Sequence, residues 1–126
     1  MSTAHDETPG GEGLPVITDD FMRAAMQTEV RPFVLAMLKQ GPAYGTPGSD
    51  AVIWEHGRRN FALRASGVLS IVMPIADDTQ WCGIGIFDAD EAEVARILDG
   101  DPAIRAGVLE YEIHPGRSFR GDRLPG

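Results

Sequence analysis

The sequence predicts an α+β domain: two helices on one face of an antiparallel sheet, in the order strand, helix, strand, strand, helix, strand. Three observations lead there. Apolar runs of strand length occupy residues 33–39, 68–74, 81–87 and 108–114. Helical patterns separate the first run from the second and the third from the fourth. Only "IADDTQ" separates the second from the third, which is close to a hairpin connection. This order is the ferredoxin-like split βαβ arrangement.

Residues 1–17 read as a flexible leader. "TDDFMRAAMQTEV" then offers Thr18 as an N-cap, acids in the first turn, and Phe21, Met22, Ala25 and Met26 on one side, so a short helix is expected within 18–31. Pro32 ends that segment, and "FVLAMLK" follows as the first strand. The compact domain is expected over 32–116, with a flexible tail over 117–126. "QGPAYGTPGSD" is a loop, with Asp50 placed to cap the helix "AVIWEHGRRNFALRAS". There Trp54, Phe61, Ala62 and Ala65 recur at helical spacing and are expected to face the sheet, while Gly67 provides the stop.

"VLSIVMP" and "WCGIGIF" are the hairpin strands. Gly83 and Gly85 alternate with Cys82, Ile84 and Ile86, so one sheet face lacks side-chain bulk at two successive positions. That leaves either a pocket floor or close helix packing. "DADEAEVARILDG" is the second helix, with acids at its start and Val94, Ala95, Ile97 and Leu98 for contacts. The Asp101-Pro102 corner leads through "AIRAG" into "VLEYEIH", where Leu109, Tyr111 and Ile113 alternate with Glu110, Glu112 and His114. Helices cover one sheet face only, so the other is expected to pack against a second copy, a homodimer.

Charge and composition exclude several functions. The chain has 126 residues and a formal net charge of -8, and Arg58, Arg59 and Arg64 make a poor basic footprint, so no nucleic-acid partner is expected. The same balance disfavours an anionic membrane surface. No apolar run approaches the roughly 20 residues that span a bilayer, and the start of the chain lacks a signal-peptide core. A lone Cys82 fits a reducing cytoplasm and a structural thiol.

Three histidines are present. His5 is in the leader, and His114 is at a strand end. His56, near a helix start beside the Gly/Pro loop, is the candidate general acid or base, because imidazole changes charge near neutrality. No HxH, HExxH or paired-cysteine spacing exists, so no protein-built metal site is expected. "GPAYGTPG" lacks the Lys-Ser/Thr of a phosphate loop. Asp101 either starts a turn or orients the His56 imidazole, since split βαβ topology brings the two ends together. Arg59 and Arg105 are candidate anion-binding groups, and Tyr44 and Trp81 a candidate aromatic wall.

Three stretches resemble the YCII-related family: "EHGRRNFALRASGVLSIVMPIAD", "GIGIFDADEAEVARILDGDPAIRAGVLEYEIHP" and, more weakly, "FVLAMLKQGP". The family's helix histidine lies eleven residues before a glycine, as His56 and Gly67 do. Its Asp-Pro followed by Ala-Gly matches Asp101-Pro102 and Ala106-Gly107. The family's usual phenylalanine after Asp-Pro is replaced by Ala103, which alters the local pocket. The resemblance implies a dimeric α/β barrel, with His56 and Asp101 in its pocket and no redox cofactor. A characterised activity in the family removes chloride from a chlorinated hydroxyquinol-type aromatic. The expected function is therefore a lyase- or isomerase-like proton transfer on a phenolic or quinone-type molecule. The alternatives are a cofactor-free monooxygenase and a non-catalytic ligand-binding protein.

Overall fold

The structure is a computed structural model that describes residues 13–126 in full and Asp6–Pro9 as a strand. Residues 1–5 and 10–12 of the expected leader, His5 included, lie outside the described residues. Contacts divide the chain into two compact units. The smaller combines Arg117–Gly126 with the described residues up to Arg31, and the larger is Pro32–Gly116.

In the smaller unit, β1 (Asp6–Pro9) pairs antiparallel with β2 (Pro15–Val16). Helix α1 (Asp19–Thr28) starts where its sequence predicts, because the Thr18 hydroxyl accepts the Phe21 N–H at 3.1 Å. Met22 and Met26 are largely exposed. The Arg120 guanidinium meets the Glu29 carboxylate at 3.5 Å.

The larger unit holds the sheet. β3 (Val30–Gln40) is followed by α2 (Ser49–Ser66), β4 (Leu69–Pro74), β5 (Trp81–Phe87), α3 (Glu91–Asp99), the single turn α4 (Pro102–Arg105) and β6 (Leu109–Phe119). β6 thus runs past residue 116. The strand order is β4-β5-β3-β6, and β5 runs antiparallel to both β3 and β4. The Gly41 N–H donates to the Val108 carbonyl at 2.8 Å, so the end of β3 meets the start of β6 and this pair is antiparallel too.

The resemblance implied a closed barrel, and the structure corrects that. Among the described residues the four-stranded sheet is open, with β4 and β6 as its two edges. Four strands with helices on one face cannot curl far enough to bring their edges together, since closure needs tilt and stagger shared over more strands.

Alternation decides the core. Val34, Ala36 and Leu38 of β3, Phe87 of β5 and Leu69 of β4 are buried, and Val94, Leu98, Ala103, Val108 and Leu109 complete the cluster. The opposite face carries Leu35, Met37, Ile84 and Ile86, cross-strand partners that remain partly exposed.

Helix α2 differs from its expectation. Trp54 is 70% and Phe61 67% exposed, and Ala62 and Ala65 are exposed as well. Val52, Ile53 and Leu63 pack on the core instead. Apolar residues stand on both sides of this helix, so bulk alone marks the wrong side. Phe61 lies against the Arg64 guanidinium, 5.9 Å from its ring centre. Asp50 does not cap the helix. Gly48 does, in the left-handed region and without a side-chain bond, and Asp50 is in the first turn. Gly67 ends the helix at φ 89°, as its sequence predicts.

Gly41 and Gly57 should respond oppositely to alanine. A Cβ on Gly41 would run into the backbone carbonyl of Gly107, whereas one on Gly57 meets nothing within 4 Å. Gly41→Ala should destabilise by about 1–3 kcal/mol, as overpacking does. Gly57→Ala should stabilise by about 0.5–1 kcal/mol, the helical propensity difference. Urea unfolding midpoints for the two variants check both signs.

Candidate active site

The Asp101-Pro102 corner answers the question its sequence raises, because its carboxylate does two things. Oδ1 accepts the Ala103 N–H at 2.8 Å and so caps α4, with Pro102 in the first turn where no N–H is needed. Oδ2 lies 2.7 Å from Nδ1 of His56. The carboxylate is almost fully buried at 2% exposure and the imidazole at 15%.

Burial pushes the Asp101 carboxyl upward. The hydrogen bond and charge of His56, the Ala103 N–H and the charge of Arg59 outweigh that, so it is held below the usual carboxylate range. An ionised carboxylate only accepts, so Nδ1 carries a proton whether the imidazole is charged or neutral, and in the neutral form Nε2 is left with its lone pair. Asn60, one turn further along α2, has Nδ2 at 3.3 Å from that nitrogen.

His56 and Asn60 line a cavity of roughly 360 Å³ between α2 and the sheet, within the size range of small-ligand pockets. Its floor is Gly83 and Gly85, flanked by Leu38, Leu69 and Phe87. The glycine alternation therefore makes a pocket floor. Gly85 has no room for a methyl group without pressing Leu69 and Phe87, at 3.2 and 3.3 Å. Tyr44 and Trp81 also line the cavity, and Tyr44 is 41% exposed.

The two arginines are elsewhere. Arg59 does not line the cavity; its Nη2 donates to the Ile97 carbonyl at 2.9 Å, in the last turn of α3. Its Nε is buried with no hydrogen-bond partner among the described residues. Arg105 is exposed on α4 and does not line the cavity either. The ionisable side chains that do line it are Tyr44, His56, Asp77 and Cys82, with no lysine or arginine among the described residues. Burial raises the Cys82 thiol pKa, and its Sγ is 3.6 Å from the Gln80 carbonyl, so the sulfur stays protonated and is no nucleophile. No group of three His, Cys, Asp or Glu side chains comes together among the described residues to hold a metal. Among the described residues no helix is long and apolar enough to cross a membrane.

Such an arrangement can move a proton: Nε2 accepts it, and the imidazolium is stabilised through Nδ1–H by an ionised, hydrogen-bonded carboxylate. Of the residues singled out in the sequence, His56, Tyr44 and Trp81 line the cavity and Asp101 is bonded to His56; Asn60, not singled out there, joins them at i+4 from His56.

Because the folded Asp101 pKa is depressed, its contribution to stability is present above the ordinary carboxylate range. It is lost as pH falls through the folded value. Asp101→Asn should therefore be less stable than the parent at neutral pH, with the gap closing on acidification below about pH 4. Chemical unfolding as a function of pH measures this, and a pH-independent gap would contradict it.

No protein-family model matches the chain, and no curated protein matches it. Among solved structures, the chain is similar to 5-chloro-2-hydroxyhydroquinone dehydrochlorinase (TftG) from Burkholderia phenoliruptrix AC1100, in complex with 2,5-dihydroxybenzoquinone. The TM-score is 0.47 at 16% identity, over 65% of this chain and 90% of that one.

Proposed function

We propose that the protein is a cofactor-independent enzyme that transfers a proton on a phenolic or quinone-type molecule, with lyase or isomerase chemistry. The observation that carries this reading is the 2.7 Å bond from His56 to Asp101, which leaves Nε2 on the cavity side. Nε2 takes the hydroxyl proton, and the electron pair stays on the oxygen as a phenolate. Return of that proton to a ring carbon gives the keto tautomer and completes an isomerisation; where the protonated carbon bears an anionic leaving group, its departure together with a second hydroxyl proton, taken again by Nε2, completes an elimination. Neither route changes the oxidation state of the protein or calls for an oxidant. Asp101 holds the imidazole in the reactive tautomer and does not touch the substrate.

The lining supports an aromatic substrate. Tyr44, Trp81 and Phe87 with Leu38, Leu69 and Leu98 offer apolar and aromatic surface, and the YCII-like sequence pattern points to a hydroxylated ring. The partly exposed Leu35, Met37, Ile84 and Ile86 support a homodimer that covers them. Sedimentation equilibrium should find a dimer, and a monomer at all concentrations would discard that part.

His56→Ala should lower kcat by roughly 10²–10⁴ with the fold retained, the usual weight of a general acid or base. Turnover of hydroxyquinol-type compounds, assayed anaerobically without added cofactor, is the test. Undiminished turnover in the variant removes the mechanism. Oxygen consumption would favour the monooxygenase reading, and tight binding without product a binding protein.

A further inference from the structure

We propose that Asn60 stabilises the negative oxygen that forms on the substrate when His56 removes its proton. The assignment rests on the proton-transfer reading of the cavity and names the polar contact which that reading lacks. Asn60 and His56 are four residues apart on α2, so their heads stay adjacent, and both line the cavity. With Nδ1–H committed to Asp101, Nε2 is an acceptor, and the Asn60 amide is oriented to donate to it at 3.3 Å. That distance is beyond the usual range for an N–H donor. The bond is therefore weak and readily exchanged for one to a substrate oxygen.

Proton transfer breaks the substrate O–H bond and forms an N–H bond at Nε2. The electron pair stays on the substrate oxygen. Nε2 stops accepting at that moment, so the Asn60 N–H loses its partner just as an anionic oxygen arises beside it. Donation then turns from nitrogen to oxygen, and a bond present only after proton transfer favours the transition state over the bound substrate.

No lining cation competes for this role among the described residues. Arg59 is bonded to the Ile97 carbonyl, and Arg105 is exposed on α4. Lys39 does not line the cavity, and its ammonium lies 6.0 Å from the Trp81 ring centre. Asp77, at the β4–β5 connection, accepts the N–H and hydroxyl of Thr79 and stays ionised. The lining therefore offers no cationic side chain to a carboxylate or phosphate. The substrate class that follows is an uncharged compound with an ionisable hydroxyl, whose charge appears only inside the site.

A chromophoric phenol tests this without the natural substrate. 4-Nitrophenol absorbs differently as phenol and phenolate, so its ionisation can be followed while bound to the full chain. The parent should ionise the bound probe at lower pH than in free solution, and His56→Ala should abolish that shift. Asn60→Leu should move the bound transition back toward the free one by on the order of one pH unit, a tenfold effect typical of a hydrogen bond to a charged group. Asn60→Asp, which keeps the shape and replaces the donors with a carboxylate, should move it at least as far. If His56→Ala abolishes the shift while both Asn60 variants behave as the parent does, the Asn60 assignment fails and the His56 reading stands. A parent that neither binds nor ionises the probe overturns both.

Discussion

The carboxylate of Asp101 joins the parts of this structure that matter for chemistry. One oxygen starts α4 and the other holds His56 on α2. A buried carboxylate is costly unless its lone pairs are met. Here the charge is met by a backbone N–H, an imidazole N–H and the field of Arg59. The same bonds that make the buried charge tolerable also hold the imidazole with Nδ1 protonated, so the burial of Asp101 and the orientation of His56 are one arrangement. Arg59 acts from behind. By binding the last turn of α3 it holds that helix end, and the chain that leaves it, against α2. Gly100 keeps the path open, since a Cβ there would come within 3.1 Å of the guanidinium.

The cavity follows from a second constraint, the missing side chains on the helix-facing side of β5. Gly83 and Gly85 sit opposite Leu38 and Ala36 of β3. This part of the sheet therefore presents little bulk to α2, and the helix rests on Val52, Ile53 and Leu63 at its margins. The space lies beside His56 because the loop before α2 is stitched to the start of β6. Gly41 and Ala43 donate to Val108 and Gly107. Close backbone approach at Gly41 thus sets where the helix begins and, through it, where His56 stands.

Much of this was legible in the residues. Runs of strand length marked the strands, Thr18 and Gly67 marked helix ends, and the glycine alternation marked a sheet face without side-chain bulk, open to a pocket or to close helix packing. His56 and Asp101 stood out because each is a chemically capable residue at an element boundary. The packed side of α2 was not legible. Trp54 and Phe61 share one face and outweigh the smaller residues that pack, and periodicity reports spacing without saying which side meets the sheet. Arg59 was not legible for a related reason. A guanidinium near a site in the sequence looks like an anion receptor until its bond to a helix-end carbonyl is seen.

What the sequence by itself determined was local: which segments become helix or strand, where each ends, and that Asp-Pro begins a turn. These depend on backbone sterics, capping and side-chain alternation, all of which act within a few residues. Tertiary structure decided everything that needs two distant segments. It brought Asp101 to His56, left the four-stranded sheet open, and turned Asn60 beside Nε2 of that imidazole instead of into solvent. The physical reason is that a pair 45 residues apart meets only through the packing of whole elements. Burial, charge state and tautomer are then properties of that meeting, and neither residue has them alone.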